Sequence, residues 1–229
     1  MGRFKGPAEI LIKISKFQEI QIVIQTEKKL IYKLLSEPLV FEGDVRDLNM
    51  WEMIGQDCME RNNSLYEVIM IDPPQRLLQQ DLPYPTLSDK EILDMSLHLV
   101  QKYGIMILWI VNSKRELAKQ FILKNGYRKV DRGEWVKLTK NGVLYTGWGK
   151  YTAHCNESFI IGVKGDVKNI VQFQKAKSVF LDSVGDHLVK PEKIYEFIQM
   201  ITSDRPNLEI FGRKKNLRRG WTTFGNNLH

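Results

Sequence analysis

Between Gly104 and Asn112 the chain runs through seven consecutive apolar residues, Ile105 to Val111. A bilayer crossing takes about 20 such residues, so this run is too short for one. It suits a single buried strand. A strand with one wet face alternates apolar and polar side chains. A strand apolar on both sides must be covered on both sides, as in a parallel sheet flanked by helices. The same logic applies to residues 66–71, where Tyr66-Glu67-Val68-Ile69-Met70-Ile71 stops at Asp72-Pro73-Pro74.

The segments between these runs read as helices and turns. Ser88 and Glu91 have capping-box spacing, which predicts a helix from Ser88 to about Lys102. Ser113 is expected to cap a helix reaching about Asn125, with Gly126 as its left-handed end. Further strands are expected near residues 127–137 and 158–163. Pro191 is placed in the first turn of a helix to about Thr202. Strands at 207–211 and 221–224 close the pattern, and Val40-Phe41 before Gly43-Asp44 opens it. Alternating strands and helices predict an α/β fold, a three-layer sheet with helices on both faces. Residues 8–36 carry isoleucines and leucines mostly at three- and four-residue steps, predicting a helical segment over 1–38 ahead of a domain over 39–229.

In open α/β sheets ligands bind beyond the carboxyl ends of strands. Gly43-Asp44, Asp72-Pro73-Pro74-Gln75 and Phe211-Gly212-Arg213 fall there. The two prolines fix φ twice and remove two N–H groups, leaving a stiff arm of carbonyl acceptors and one carboxylate. Such an arm can hold an exocyclic amine, which offers two N–H donors; an ordinary turn is the plainer alternative.

The net charge is +7, from 34 basic and 27 acidic residues. It is uneven. Residues 205–229 hold six bases (Arg205, Arg213, Lys214, Lys215, Arg218, Arg219) against Glu209 alone, a local excess of five. A solvated basic loop or a phosphate-binding surface would each explain it. The two cysteines, Cys58 and Cys155, make no disulfide framework, and no stretch near residue 1 has the layout of a signal peptide. An intracellular, non-membrane setting is expected. The histidines and cysteines lack zinc-ligand spacing, so metal binding is not expected.

The surroundings of Asp72-Pro73-Pro74 add a second kind of information. Leu82-Pro83-Tyr84-Pro85-Thr86-Leu87-Ser88-Asp89 follows it. Then come Leu108-Trp109, Asn125-Gly126-Tyr127, Trp135-Val136-Lys137, Ile161-Gly162-Val163-Lys164-Gly165 and Lys190-Pro191-Glu192-Lys193-Ile194-Tyr195. Leu208-Glu209-Ile210-Phe211-Gly212-Arg213, Gly220-Trp221 and Gly225-Asn226-Asn227-Leu228 complete the set. In this order they resemble the MT-A-seventy family of N6-adenine methyltransferases, over about residues 39–228. The resemblance implies a Rossmann-like, permuted (beta-class) methyltransferase domain that uses S-adenosylmethionine (SAM).

The resemblance also implies site roles. Asp72, Pro73, Pro74 and the residue after them occupy the catalytic tetrapeptide, and Tyr84 the loop that shapes the acceptor-base pocket. Asp44, Val45, Lys190, Glu209, Arg213, Asn216, Asn226 and Asn227 stand at the family's cofactor positions. Lys214, Lys215, Arg218 and Arg219 match none of these; as surplus charge they are assigned to nucleic-acid phosphate, with an acidic partner surface as the alternative. The loop holding Gly142, Gly147, Gly149, Tyr145, Trp148 and Tyr151 corresponds to an interface or gate loop, read as a protein interface.

One position departs from the pattern. Catalytic members carry an aromatic residue, usually Trp, after Asp-Pro-Pro; here it is Gln75. A base stacked on an aromatic ring is worth about 1–3 kcal/mol. Its loss from the transition state alone would slow the reaction roughly ten- to hundredfold. Gln75 therefore suggests the degenerate member of a pair, a pseudoenzyme most like the non-catalytic partner in the two-subunit DNA N6-adenine methyltransferase of ciliates. That resemblance implies a heterodimer with a homologous catalytic subunit that carries SAM, none being bound by this chain. It further implies contact with DNA, with RNA as the lesser alternative that the sequence does not decide against, further DNA-binding subunits, and a nuclear location. An active methyltransferase with an altered pocket, and a non-enzymatic nucleic-acid-binding module, are the competing readings.

Overall fold

A computed structural model describes residues 38–75, 86–147, 149, 151–185 and 189–226. The expected helix within 8–36, and Tyr84 and Asn227, lie outside the described residues.

In chain order the elements are β1 (Leu39–Glu42), α1 (Leu48–Asn62), β2 (Val68–Ile71), α2 (Asp89–Leu93), β3 (Gly104–Ile110), α3 (Arg115–Lys124), β4 (Arg128–Leu138), β5 (Asn156–Lys164), β6 (Val179–Ser183), α4 (Glu192–Thr202), β7 (Asn207–Ile210) and β8 (Trp221–Gly225). The eight strands form one sheet in the order β1-β8-β7-β2-β3-β5-β4-β6. The run from β1 to β3 is parallel, β5 is antiparallel to both β3 and β4, and β6 is parallel to β4.

The continuous apolar character of β2 and β3 has the expected cause. Ile69, Ile71, Met106 and Leu108 pack on one face with Trp51, Ile54 and Cys58 of α1 and Leu117, Phe121 and Ile122 of α3. Val68, Met70, Ile105, Ile107 and Trp109 pack on the other with Ile194, Phe197, Ile198 and Ile201 of α4. Period-two alternation of side chains divides each strand between the two layers. Gly104 starts β3 at φ 142°, where an added Cβ would sit 2.2 Å from the Glu67 carbonyl oxygen. Only glycine fits both that angle and that approach.

The local expectations hold in part. The Ser88–Glu91 capping box forms, with Glu91 held at about 2 chiefly by the Ser88 hydroxyl. Its helix is shorter than expected: α2 stops at Leu93, and a separate 3-10 turn covers Leu97–Leu99. Ser113 does not cap α3. It lies inside a 3-10 turn, Asn112–Lys114, and Lys114 occupies the cap without a side-chain bond. Pro191 is the N-cap of α4, one residue before the helix proper. Two elements were not anticipated, α1 and β6. Both are amphipathic segments with much exposed surface: α1 buries Trp51, Ile54, Gly55 and Cys58, and β6 alternates along the sheet edge.

Candidate active site

The topology gathers chemistry at one edge. The parallel strands β1, β2, β3 and β7 end there, and antiparallel β5 begins there. That reversal delivers Glu157, the second residue of β5, beside Asp72, which follows β2.

Asp72 and Glu157 share a cation. Lys190 Nζ lies 3.1 Å from Asp72 Oδ1 and 2.9 Å from Glu157 Oε2. Lys137 at the end of β4 adds a second ion pair to Glu157 at 2.5 Å. Lys190 Nζ also sits 4.5 Å from the centroid of the Trp109 ring at the end of β3, a cation–π contact. The Asn216 amide donates to the Lys190 carbonyl at 3.2 Å, fixing the backbone that carries the ammonium. The four charges balance. Burial is the largest influence on Asp72, Glu157 and Lys190 alike. It raises the Asp72 carboxyl above its ordinary range, with Lys190 opposing. At Glu157, Lys190 and Lys137 outweigh burial and hold the carboxyl at about 2. Lys190 is pushed up to about 12 because its two carboxylates outweigh its burial.

The proline arm is stiffened by backbone bonds. The Gln75 N–H donates to the Pro73 carbonyl at 2.8 Å, and the Leu87 N–H to the Pro74 carbonyl at 2.9 Å. Each carbonyl keeps a second lone pair. The Gln75 side-chain oxygen is buried with no hydrogen-bond partner among the described residues, as is the indole N–H of Trp109.

The loop after β1 is equally fixed. Trp51 donates its indole N–H to the Val45 carbonyl at 2.7 Å, and Asp47 caps α1. Asp44 is held below the usual carboxylate range, first by the Arg46 side chain, which also reaches Glu91 at 3.0 Å.

Within β7, alternation turns Glu209 toward α4. Its two oxygens accept from the Tyr195 hydroxyl at 2.9 and 3.0 Å, and burial pushes its carboxyl up to about 8. Phe211 then takes φ 67°, a strained angle for a side chain of its size. Gly212 follows, where an added Cβ would strike Thr223 Cγ2 at 2.3 Å.

The sequence-derived candidates thus divide. Asp72, Lys190, Glu209, Asn216 and Gln75 come together at one edge, but Lys190, Glu209 and Asn216 are each engaged by protein partners. A ribose hydroxyl at Glu209 would exchange with Tyr195, and a carboxylate at Lys190 with Asp72 or Glu157. Arg213 is half-buried and draws the Asp72 carboxyl downward; Asn226 is exposed. Lys214, Lys215 and Arg219 are exposed. Arg218 is not a spare charge: it pairs with both oxygens of Glu192 at 2.5 and 3.0 Å and stacks 3.2 Å over the Tyr195 ring. Glu157, Lys137 and Trp109 had no assigned role from sequence. Lys137 and Trp109 stood in quoted motifs, and only the reversal of β5 shows what Glu157 does. Among the described residues no group of His, Cys, Asp or Glu could hold a metal ion, and no helix is long and apolar enough to cross a membrane.

A mixed sheet between helical layers, with an Asp-Pro-Pro arm at its carboxyl edge, defines a Rossmann-like methyltransferase domain. Residues 66–227 match the family model MT-A70, and the chain belongs to that family. It is 32% identical over 165 residues to the N(6)-adenosine-methyltransferase catalytic subunit METTL3 of Homo sapiens, covering 71% of this chain and 28% of that protein. A putative N(6)-adenosine-methyltransferase MT-A70-like of Medicago truncatula is 28% identical over 196 residues, covering 85% and 30%. The N(6)-adenosine-methyltransferase non-catalytic subunit METTL14 of Drosophila melanogaster is 21% identical over 238 residues, covering 94% and 57%. The chain therefore spans only part of the length of these relatives.

Proposed function

We propose that this chain is the non-catalytic subunit of a heteromeric, SAM-dependent N6-adenine methyltransferase acting on DNA in the nucleus, the role of the non-catalytic partner in the ciliate two-subunit enzyme. The observation that carries the reading is Gln75. It stands where an aromatic ring would pack on the target adenine, and its side-chain oxygen is already buried in the protein. A buried polar atom without a partner offers the base neither a π face nor a hydrogen-bonded wall.

The side chains at the cofactor positions support the same reading. Lys190, Glu209 and Asn216 serve each other's loops and the sheet, so the edge is held together without a ligand. In an active relative, SAM would supply the methyl group to the adenine amine, whose N–H donors the Asp-Pro-Pro arm would hold. Here the homologous partner does that work, and this chain supports it and offers Lys214, Lys215 and Arg219 to the phosphate backbone.

A second reading, an active enzyme with an altered pocket, draws on Asp72, which stays part-exposed at 31% and has kept its cation. One experiment separates the two. Methyl transfer to adenine-containing DNA is measured for the chain alone, for the complex, and for complexes with either subunit's Asp-Pro-Pro aspartate changed to Asn. The proposal expects activity to survive Asp72→Asn and to vanish with the partner's change. The reverse pattern, or SAM binding to the isolated chain by calorimetry, would establish the second reading. Binding of DNA by the isolated chain with no activity in any complex would leave the nucleic-acid module.

A further inference from the structure

Two Asn-Gly pairs occur in the chain, Asn125-Gly126 and Asn141-Gly142. Asparagine is a thermolabile residue. The backbone nitrogen that follows it can attack the side-chain carboxamide, and a glycine there, having no Cβ, leaves the approach open and its own φ free. The fold treats the two pairs differently. Asn125 is the half-buried C-cap of α3, and its carboxamide donates to the Phe121 carbonyl at 3.0 Å. The same carbonyl accepts the Asn125 backbone N–H at 3.1 Å, and the Gly126 N–H is bonded to the Leu123 carbonyl at 3.1 Å. Asn141 is exposed in the turn after β4, and its carboxamide has no hydrogen-bond partner among the described residues. Gly142 takes φ 76°, with nothing within 4 Å of the place a Cβ would fill. Its N–H is restrained by one bond, to the Thr139 carbonyl at 2.9 Å. An exposed turn opens at little cost, whereas freeing Asn125 unravels the end of a packed helix.

We propose that Asn141 is a site of spontaneous modification, a deamidation that yields aspartyl and isoaspartyl products. The Gly142 nitrogen gives its proton to hydroxide and bonds to Asn141 Cγ. The Cγ–Nδ2 bond breaks, and Nδ2 leaves as ammonia with a proton from water. Water then opens the cyclic imide at either of its carbonyls. One opening leaves Asp; the other routes the main chain through the side chain. In sum one water is consumed and one ammonia released, with no change of oxidation state. The isoaspartyl product lengthens the main chain by one carbon inside a tightly closed turn. There the Thr139 N–H donates to the Val143 carbonyl at 2.7 Å, and the Val143 N–H to the Thr139 hydroxyl at 3.2 Å. The next bond inward runs from the Tyr145 N–H to the Lys137 carbonyl at 2.9 Å, and Lys137 is the residue paired with Glu157 at the active edge. Modification at Asn141 therefore loosens the strand end that carries Lys137.

The test incubates the full chain at physiological temperature in mildly acid and mildly alkaline buffer. After digestion, mass spectrometry follows conversion of amide to acid in the peptides that hold each Asn-Gly pair. Asn141 is expected to convert roughly tenfold faster than Asn125 or more, because its turn opens without disturbing the core. Conversion is expected to quicken in the alkaline buffer. Hydrogen exchange at the Tyr145 N–H reads the consequence, and is expected to be faster in aged wild type than in fresh. Aged Asn141→Gln, whose cyclic intermediate is larger and slower to form, is the control for other damage and should keep its protection. Fresh Asn141→Asp, which gains the charge without the extra carbon, should keep it too. Conversion of Asn125 first or equally fast, or of neither residue, overturns the assignment. Conversion of Asn141 with Tyr145 exchange unchanged overturns the link to Lys137. Equal loss of protection in fresh Asn141→Asp overturns the chain-length account of that link.

Discussion

Replacing Lys190 by Met isolates the charge that holds the active edge together. Met keeps the length and the contact with Trp109 but removes the ammonium. Each of the two pairs, at 3.1 and 2.9 Å, is worth roughly 5–6 kcal/mol in gross Coulomb terms at an effective dielectric near 20. Most of that is offset by the desolvation of an ammonium only 11% exposed. The variant, however, leaves two carboxylates facing one another without the shared cation. Removing one member of a buried ionic group costs about 3–5 kcal/mol. For a domain of this size that lowers the melting temperature by about 6–20 °C. The loss depends on pH, with a definite sign. In the wild type, Glu157 at about 2 contributes stability that is present above its unfolded value of 4.5 and lost as pH falls through 2. In the variant, Asp72 loses the cation that opposes its burial and rises further, while Glu157 keeps Lys137 but loses part of what holds it down, so the variant loses stability as pH rises. Both effects make the difference larger at pH 7 than at pH 4. Urea unfolding at the two pH values measures it. A further set, Lys190→Met with Asp72→Asn and Glu157→Gln, removes the stranded charges and should recover most of the loss. A loss under about 1 kcal/mol, equal at both pH values, would refute the shared-cation account.

Other consequences can be checked as directly. Glu209 is raised to about 8 from 4.5, so the wild type should lose stability as pH climbs across that interval, by at most about 5 kcal/mol; Glu209→Gln should flatten this part of the urea-unfolding profile. Arg218→Ala should lower stability by about 1–2 kcal/mol through loss of its stack on Tyr195 and its pair with Glu192, and leave the salt slope of DNA binding unchanged. Lys214→Ala and Lys215→Ala should each reduce that slope by about one, in fluorescence anisotropy across a salt series. Gln75→Trp, which supplies the missing ring, should tighten binding of an adenine-containing single strand roughly five- to hundredfold over an abasic one; equal affinity for both strands would count against stacking at this position.

Legibility in the sequence followed from how each residue is used. The cores of β2 and β3 announce themselves because burial on both faces leaves only apolar choices at most positions. α1 does not, because most of its fifteen residues face solvent and four carry the packing. β6 sits at the sheet edge, where alternation over five residues is too brief a signal. The Asp-Pro-Pro arm was legible from its prolines. The ionic cluster around it was legible only in pieces: Asp72 and Lys190 are 118 positions apart in sequence (190 − 72), and no local pattern links them to Glu157. Four bases in one loop look alike as letters, and only the structure shows that Arg218 stacks on the Tyr195 ring and pairs with Glu192.

The strand order carries a consequence for how the domain is made. Among the described residues β1, the first strand, pairs only with β8, the last, so Leu39 lies beside Thr222. β2 likewise waits for β7, with Val68 beside Asn207. Closing loops that long is entropically costly and slow, and it precedes any gain from the contacts made. During synthesis, β2 and β3 can pair early, but one side of β2 stays open until residue 207 has left the ribosome. The Asp72 arm is therefore anchored on both sides only once β7 has been made. Until then an apolar strand edge is bare, and the nascent chain is open to mispairing there.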